Sequence, residues 1–262
     1  MTDTPILEGE VKFEAPNSGK AGSTWYKVYG DLNSKVPALV ALHSGPGAGH
    51  EYLSPLTNLY QKCGIPIIFY DQVGCGRSTH HREELGNTSF WTFDLFSQEL
   101  DNPVDHLKLQ ENGFSIIGQS WGGMLSAVYA THMKKASDSS DHDSPEYKNA
   151  SEFFYKQHVC RLDVEAAFKN LHDDNTAYLT MQGPSELVIT GSLKDWERWE
   201  IAHEILVDTP VVNGRYMTDV CVRPWFKAIP RVKWVTFEKS SHMAYWKQPE
   251  RFIQVCEGFL SI

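Results

Sequence analysis

One segment, GFSIIGQSWGGML at residues 113–125, restricts the fold more than any other, because a serine lies between glycines directly after a short apolar run. The run FSII at 114–117 has the length and composition of a buried strand, and a helix is predicted to follow it. A Gly-x-Ser-x-Gly at such a strand-to-helix turn is a nucleophile elbow, in which Gly118 and Gly122 permit the sharp turn that exposes the serine hydroxyl. A serine that only caps the helix is the alternative. Ser120 is therefore the candidate nucleophile.

Hydrophobic periodicity along the chain predicts strands that alternate with helices. Short β-branched and aromatic runs between turn residues predict strands at 23–30, 37–42, 66–70, 114–117, 209–213 and 232–237. Amphipathic helices are predicted at 92–109, where Pro103 should kink or split the helix, after Trp121, and from about residue 248. This order is typical of an α/β fold with a mostly parallel sheet.

A polar segment interrupts the alternation. Residues 134–154 (KKASDSSDHDSPEYKNASEFF) begin with small, polar and charged side chains and predict a linker, after which the pattern is mostly helical. The predicted division is a core in two parts, 1–133 and 207–262, with a linker and helical cap at 134–206. Since the helix after Ser120 leads into this linker without a further strand, the core sheet is predicted to be one strand short.

Composition excludes several classes of protein. The chain has 262 residues, a formal net charge of −9 and no run of five Lys or Arg, which argues against a nucleic-acid surface or a polybasic membrane patch. No segment approaches the roughly 18 apolar residues of a membrane span, and the N-terminus lacks the apolar stretch of a signal peptide, so a cytoplasmic location is expected. Five scattered cysteines without a CxxC pair predict reduced thiols, no metal site and no cofactor. The expected partner is a small molecule or peptide.

A serine nucleophile needs a general base and a site that stabilises the oxyanion. In a fold with this elbow the histidine comes last in the chain, on a loop after the final strand, and His242 occupies that position; a solvated loop histidine is the alternative. The oxyanion donors should be the backbone N–H of Trp121 and one N–H from the glycine-rich segment LHSGPGAGHEY, to which we assign Gly45. A tight turn before a helix is the alternative for that segment.

Five motifs together carry a family resemblance, namely HSGPG (43–47), DQVGCGRS (71–78), GQSWGG (118–123), GPSE (183–186) and SSHM (240–243). The chain resembles the proline iminopeptidase branch of the α/β-hydrolases, which includes amino-acid amidases, from about residue 10 to the end. The resemblance implies the α/β-hydrolase fold and a Ser-His-Asp hydrolase that releases N-terminal residues, often proline, or cleaves amino-acid amides.

The resemblance also implies how the substrate's amine is bound. The family's glutamate in the cap motif, which holds the free α-amine, matches Glu186. A partly buried carboxylate can make a charge-assisted hydrogen bond to an ammonium that a blocked terminus cannot make. A surface glutamate with no role is the alternative.

The chain departs from the family pattern in the oxyanion motif, where Ser44 replaces a glycine, in the short sheet, and in the triad acid. The family's Gly-x-Tyr-Asp-Glu is represented here by NGRYMTD, so the usual acid is missing, and Asp219 is the best candidate to replace it, with Asp208 second. Two other functions stay open. One is a divergent hydrolase of an ester, lactone or amide of a small metabolite, and the other is a catalytically degenerate ligand-binding member.

Overall fold

Seven β-strands form the sheet layer in the part of the chain that the computed structural model describes, which comprises residues 4–16, 18–138, 164–184, 189–197, 199–215, 219, 222–240 and 242–260. The strands are β1 (Ile6–Lys12), β2 (Ser23–Tyr29), β3 (Ala38–Leu42), β4 (Ile67–Tyr70), β5 (Phe114–Gly118), β6 (Thr209–Gly214) and β7 (Val232–Phe237). Strands β1 to β5 form one sheet in the order β1-β2-β4-β3-β5, and β6 pairs with β7. The β3-β4, β3-β5 and β6-β7 pairs are parallel, whereas β2 pairs antiparallel with β1 and β4.

Helices follow most of these strands, as the alternating pattern predicts. They are α1 (Asn58–Cys63), α2 (Phe93–His106), α3 (Trp121–Asp138), α4 (Val164–Asp173), α5 (Thr176–Met181), α6 (Arg223–Ala228), α7 (Ala244–Lys247) and α8 (Pro249–Leu260). The bounds of β2 to β7 agree with the predicted strands within one residue. Helix α2 is continuous through Pro103, and Thr92 caps it by accepting a hydrogen bond from Leu95 N at 3.2 Å.

Strand β1 was not expected from the sequence pattern. Its residues lack a buried face, and Ile6 and Leu7 are 55% and 51% exposed. The alternation that marks a half-buried strand is therefore missing, although β1 pairs with β2 along its whole length.

Two apolar layers cover the opposite faces of the large sheet. Alternate residues of β3 point to different layers: Val40 lies in the cluster with α2 and α3, whereas Leu39 and Ala41 lie in the cluster with α1 and α8. The result is a sheet between helices, as the predicted α/β class requires.

The sheet is interrupted between β5 and β6. In the described ranges, β5 pairs only with β3 and β6 pairs only with β7, which agrees with a sheet that is one strand short. Ile117 of β5 nevertheless packs in the same buried cluster as Val212, Phe237 and Phe252, so both sheets share one core.

The predicted boundary at residue 134 falls inside α3, which runs to Asp138, and residues 139–163 of the predicted linker and cap lie outside the described residues. The described part of the predicted cap is helical, with α4, α5 and a 3₁₀ turn at Trp199–Glu204. None of the helices in the described ranges is both long enough and apolar enough to cross a membrane.

Candidate active site

The turn between β5 and α3 has the geometry of a nucleophile elbow. Ser120 adopts a φ of 53°, which non-glycine residues rarely adopt. A Cβ on Gly118 would lie 2.2 Å from Gly122 O, and one on Gly122 would lie 2.2 Å from Leu42 O. Both glycines are therefore required sterically, and the turn stores backbone strain at the candidate nucleophile.

The glycine-rich loop after β3 lies beside this turn. Gly45 has a φ of 120°, and a Cβ there would lie 2.4 Å from Gly47 N, so only glycine fits. Neither the N–H of Gly45 nor the N–H of Trp121 donates a hydrogen bond to any described residue. Both backbone donors are therefore unengaged by the described residues, and their assignment to the oxyanion site stays a prediction.

Tyr52 connects the loop to the elbow, and sequence reasoning missed it. Its buried hydroxyl accepts a hydrogen bond from Ser44 N at 2.6 Å and donates one to Gln119 Oε1 at 2.8 Å. Its carbonyl oxygen accepts a hydrogen bond from Trp246 Nε1 at 3.0 Å. The only signal in the sequence is an aromatic residue at the end of the segment HSGPGAGHEY.

Gln72, in the loop after β4, contacts Trp121 and His43. Its Oε1 accepts a hydrogen bond from Trp121 Nε1 at 2.9 Å, and its backbone N–H donates to His43 Nε2 at 3.0 Å. His43 Nδ1 therefore carries the proton and donates to Ser44 O at 2.8 Å. Burial lowers the pKa of His43, so this imidazole is neutral.

Asp71 connects the glycine-rich loop to the loop after β4. Its fully buried carboxylate accepts hydrogen bonds from His50 N at 3.0 Å, His50 Nδ1 at 2.8 Å and Arg77 N at 3.1 Å. Burial opposes ionisation, but the bonds from His50 outweigh it and hold the pKa of Asp71 below its usual value.

His50, Glu51 and Asp71 are the one group in the described residues whose atoms are close enough to hold a metal, within 4.8 Å of one another. Glu51 already accepts a hydrogen bond from Asn170 Nδ2 at 2.8 Å, and Asp71 is hydrogen-bonded as above. The cluster is accounted for as a buried hydrogen-bond network that orders the loops.

Glu99 of α2 is a buried acid that contacts the loop after β4 and strand β2. Its Oε1 accepts hydrogen bonds from Val73 N at 2.8 Å and Thr24 Oγ1 at 2.7 Å. Burial raises the pKa of Glu99 to about 8, with a further contribution from the charge of Asp71, so the group is protonated at neutral pH.

His242 lies on the loop between β7 and α7, where the sequence predicts the base. Gln248 Oε1 anchors this loop by accepting from Lys239 N at 3.0 Å and Ser240 Oγ at 3.1 Å. His242 is partly buried on this loop.

The two candidate acids lie at opposite ends of β6. Asp219 follows the carboxyl end, and its carboxylate pairs with Arg223, four residues along the chain. Asp208 precedes the amino end and pairs with Arg231. Since β6 and β7 are parallel and in register, six residues at about 3.3 Å each separate Asp208 from the end that carries His242. Only Asp219 lies at the end of the sheet that carries the histidine loop.

The predicted cap contacts the glycine-rich loop through α4. Asn170 Nδ2 donates to Ala48 O at 3.0 Å, and a Cβ on Gly47 would lie 3.2 Å from Leu171 Cδ2. Asp174 pairs with His80 at 2.5 Å, on the loop after β4. Glu186, the predicted amine-binding residue, lies outside the described residues.

Comparisons with known proteins agree with this geometry. The family model of the alpha/beta hydrolase fold matches residues 37–136, which contain β3 to β5 and Ser120. A proline iminopeptidase of Saccharolobus solfataricus is 32% identical, with 90% of this chain and 88% of the relative aligned. One of Lactobacillus helveticus is 27% identical, with 97% and 98% covered.

Two solved structures are similar to this chain over almost its whole length. The structure of VinJ matches with a TM-score of 0.80 and 33% identity, over 97% of this chain and 98% of that chain. The proline iminopeptidase of Mycobacterium smegmatis matches with a TM-score of 0.77 and 25% identity, again over 97% and 98%.

The alignment with the Saccharolobus enzyme also bears on the short sheet. It runs over 284 positions, more than the 262 residues of this chain, so the relative contains segments with no counterpart here. The interruption between β5 and β6 is consistent with such a deletion. With the elbow, the glycine-rich loop and these similarities in agreement, the chain belongs to the proline iminopeptidase family of α/β-hydrolases, and it is a hydrolase.

Proposed function

We propose that this hydrolase releases N-terminal residues, proline among them, from peptides or amino-acid amides through an acyl-enzyme on Ser120. The observation that carries the proposal is the strained elbow at Ser120 beside two backbone N–H groups that donate to no described residue. Similarity to the proline iminopeptidases of Saccharolobus solfataricus and Mycobacterium smegmatis supports the substrate class. The cytoplasmic location stays a prediction.

The chemistry assigns one task to each group. Ser120 Oγ attacks the carbonyl carbon while His242 takes the hydroxyl proton, and the N–H groups of Gly45 and Trp121 stabilise the oxyanion. His242 then gives that proton to the leaving amine, and a water repeats the sequence to release the acid.

Asp219 is the proposed acid that orients His242. It follows β6 at the end of the sheet that carries the histidine loop, which Asp208 does not. Its carboxylate is paired with Arg223, and both side chains are more than one-third exposed. An exposed ion pair contributes little free energy. Breaking the Asp219–Arg223 pair so that Asp219 can bind His242 therefore costs about 1 kcal/mol or less.

Glu186 is the proposed site for the substrate ammonium. A carboxylate in a cleft pairs with a free N-terminus, and acetylation removes the charge and leaves the carboxylate without a partner. The enzyme should therefore require an unblocked terminus.

Turnover of a prolyl arylamide and of its N-acetylated analogue tests the proposal. We expect the free amine to be preferred on the order of 10² or more, as for a site that loses a charged hydrogen-bond partner. Glu186→Gln should narrow that preference by slowing the free-amine substrate, whereas Glu197→Gln, an exposed glutamate of the same predicted cap, should leave it unchanged. Equal rates on blocked and free substrates in the wild type would refute the aminopeptidase function and favour an esterase of small metabolites.

A further inference from the structure

We propose that Tyr52 is a positioning residue that sets the separation of the two oxyanion donors, Gly45 N–H and Trp121 N–H. The inference rests on the proposed function only in assigning those donors. Tyr52 lies in the 3₁₀ turn Glu51–Thr57, and its side chain is fully buried. It acts through the two segments it hydrogen-bonds and not on the reacting atoms.

The hydroxyl of Tyr52 bridges the glycine-rich loop and the elbow next to the two proposed oxyanion donors. Ser44, which donates to it at 2.6 Å, directly precedes Gly45. Gln119, which accepts from it at 2.8 Å, directly precedes Ser120. Ser44 N is one planar peptide unit from Gly45 N, and Gln119, which is bonded through its side chain, is two peptide units from Trp121 N. Displacement of the bridge therefore changes the distance between the donors.

The other hydrogen bonds next to Gly45 stay within the loop, since Ser44 O accepts from His43 Nδ1 at 2.8 Å and from Ala48 N at 3.1 Å. A glycine with a φ of 120° has no side chain that could fix its peptide. The backbone bond from Gln119 N to Leu42 O, at 3.1 Å, joins the elbow to the end of β3 before the loop begins. Beyond that point the hydroxyl of Tyr52 supplies a direct hydrogen-bonded connection between the glycine-rich loop and the elbow.

The same residue also contacts the histidine side of the site. Trp246, four residues after His242, donates its Nε1–H to Tyr52 O at 3.0 Å. Tyr52 is thus hydrogen-bonded to the glycine-rich loop, to the elbow and to α7, the helix that follows the histidine loop. The sequence separation of Tyr52 from Gln119 is 67 residues and from Trp246 is 194 residues, so no local motif records these contacts.

Steady-state kinetics of Tyr52→Phe against Tyr26→Phe test the proposal. Tyr26 of β2 is the matched control, a buried tyrosine whose hydroxyl contacts His106 Nε2 at 3.1 Å and no residue of the proposed site. We expect Tyr52→Phe to lower kcat on the order of 10² with KM nearly unchanged, because misplaced donors weaken transition-state stabilisation and not ground-state binding. Tyr26→Phe should leave both constants unchanged.

A boronic-acid inhibitor gives a second readout, since its tetrahedral serine adduct places an oxygen in the oxyanion site. Its affinity should fall with kcat in Tyr52→Phe, whereas the affinity for the product acid should not. A rise in KM at unchanged kcat, or equal kcat in the two phenylalanine variants, would overturn the proposal.

Gln119→Met alone covers the case in which Tyr52→Phe folds poorly, as judged by circular dichroism and the melting midpoint, and a double-mutant cycle is used when both variants fold. Gln119→Met removes the other end of the bridge, so it should lower kcat similarly, and the double variant should be no slower than the worse single variant. Multiplied effects would contradict the bridge. Each variant is assayed on both a free-amine arylamide and a simple acyl ester, so a wild type active only on the ester refutes the proposed function while Tyr52 remains testable.

Discussion

The nucleophile side of the site, formed by the loops after β3, β4 and β5, differs in construction from the acid side, formed by the segments after β6 and β7. On the nucleophile side, buried polar groups such as Asp71 and Gln72 hold the backbone, and glycines fit where no Cβ would. On the acid side, Asp219 is 42% exposed and paired with an exposed arginine. The backbone of one side is fixed by packing, and the carboxylate of the other is held only by an exchangeable ion pair.

This difference explains which departures from the family pattern are tolerated. A side chain at Gly118 or Gly122 would collide with main-chain atoms, so only glycine fits at these two positions of the elbow. An exposed carboxylate can be supplied from a neighbouring position, because the acid needs only to reach the histidine. The nucleophile side therefore keeps its motifs, while the acid side has lost the usual one.

The largest expected effect comes from Ser120→Ala. Removal of the nucleophile should lower kcat by about 10⁶ and abolish labelling by a fluorophosphonate. Ser126→Ala is the matched control, a buried serine on α3 whose hydroxyl donates to Gly123 O at 3.0 Å, and it should still be labelled. Labelling that persists in Ser120→Ala would remove Ser120 from the mechanism.

The acid side is tested by Asp219→Asn. If Asp219 orients His242, amide turnover should fall by about 10⁴ while the fold persists, because the histidine tautomer is no longer fixed. Asp208→Asn is the control, since Asp208 is also exposed and paired with an arginine but lies at the other end of β6. Similar turnover in both variants would show that another group supplies the acid.

The contrast between the two sides also decides what the sequence could predict. The elbow, the glycine-rich loop and strands β2 to β7 were predictable because periodicity and glycine requirements are local. Tyr52, Gln72 and Glu99 were not, because their partners are distant: Thr24 and Glu99 are 75 residues apart, and Gln72 and Trp121 are 49 residues apart. For the acid, the sequence offered two aspartates, and only the register of β6 on β7 separates them.

Burial on the nucleophile side predicts a pH dependence of stability through Glu99. Its pKa is raised from 4.5 to about 8, so the folded chain holds a proton that the unfolded chain releases above pH 4.5. The free energy of unfolding should therefore decrease by about 1.4 kcal/mol per pH unit between pH 4.5 and 8 from this group. Glu99→Gln should remove that part of the slope in urea unfolding, whereas the exposed Glu111→Gln should retain it. Parallel slopes in wild type and Glu99→Gln would contradict a protonated Glu99.

The smallest effect concerns the contact between the nucleophile side and the predicted cap, where two adjacent aspartates differ in burial. The Asp174 side chain is 1% exposed and accepts hydrogen bonds from His80 at 2.5 Å and Thr176 N at 3.0 Å, whereas Asp173 is 66% exposed. Asp174→Asn should lower the free energy of unfolding by about 2 kcal/mol, because a buried network loses its charge, and Asp173→Asn should change it by less than about 0.5 kcal/mol.

The pH dependence of this pair follows from both partners. Burial opposes ionisation of Asp174, but hydrogen bonds from His80 and Thr176 lower its pKa from 3.8 to about 2, so its contribution is present above pH 3.8 and is lost as the pH falls towards 2. The hydrogen bond to Asp174 raises the pKa of His80 above 6.5, so its contribution is present below pH 6.5 and is lost as the pH rises through the raised value. The difference in unfolding free energy between wild type and Asp174→Asn should therefore be greatest between about pH 4 and 6.5. A difference that is constant from pH 3 to 9, or equal for the two aspartates, would show that the cap contact does not depend on this ion pair.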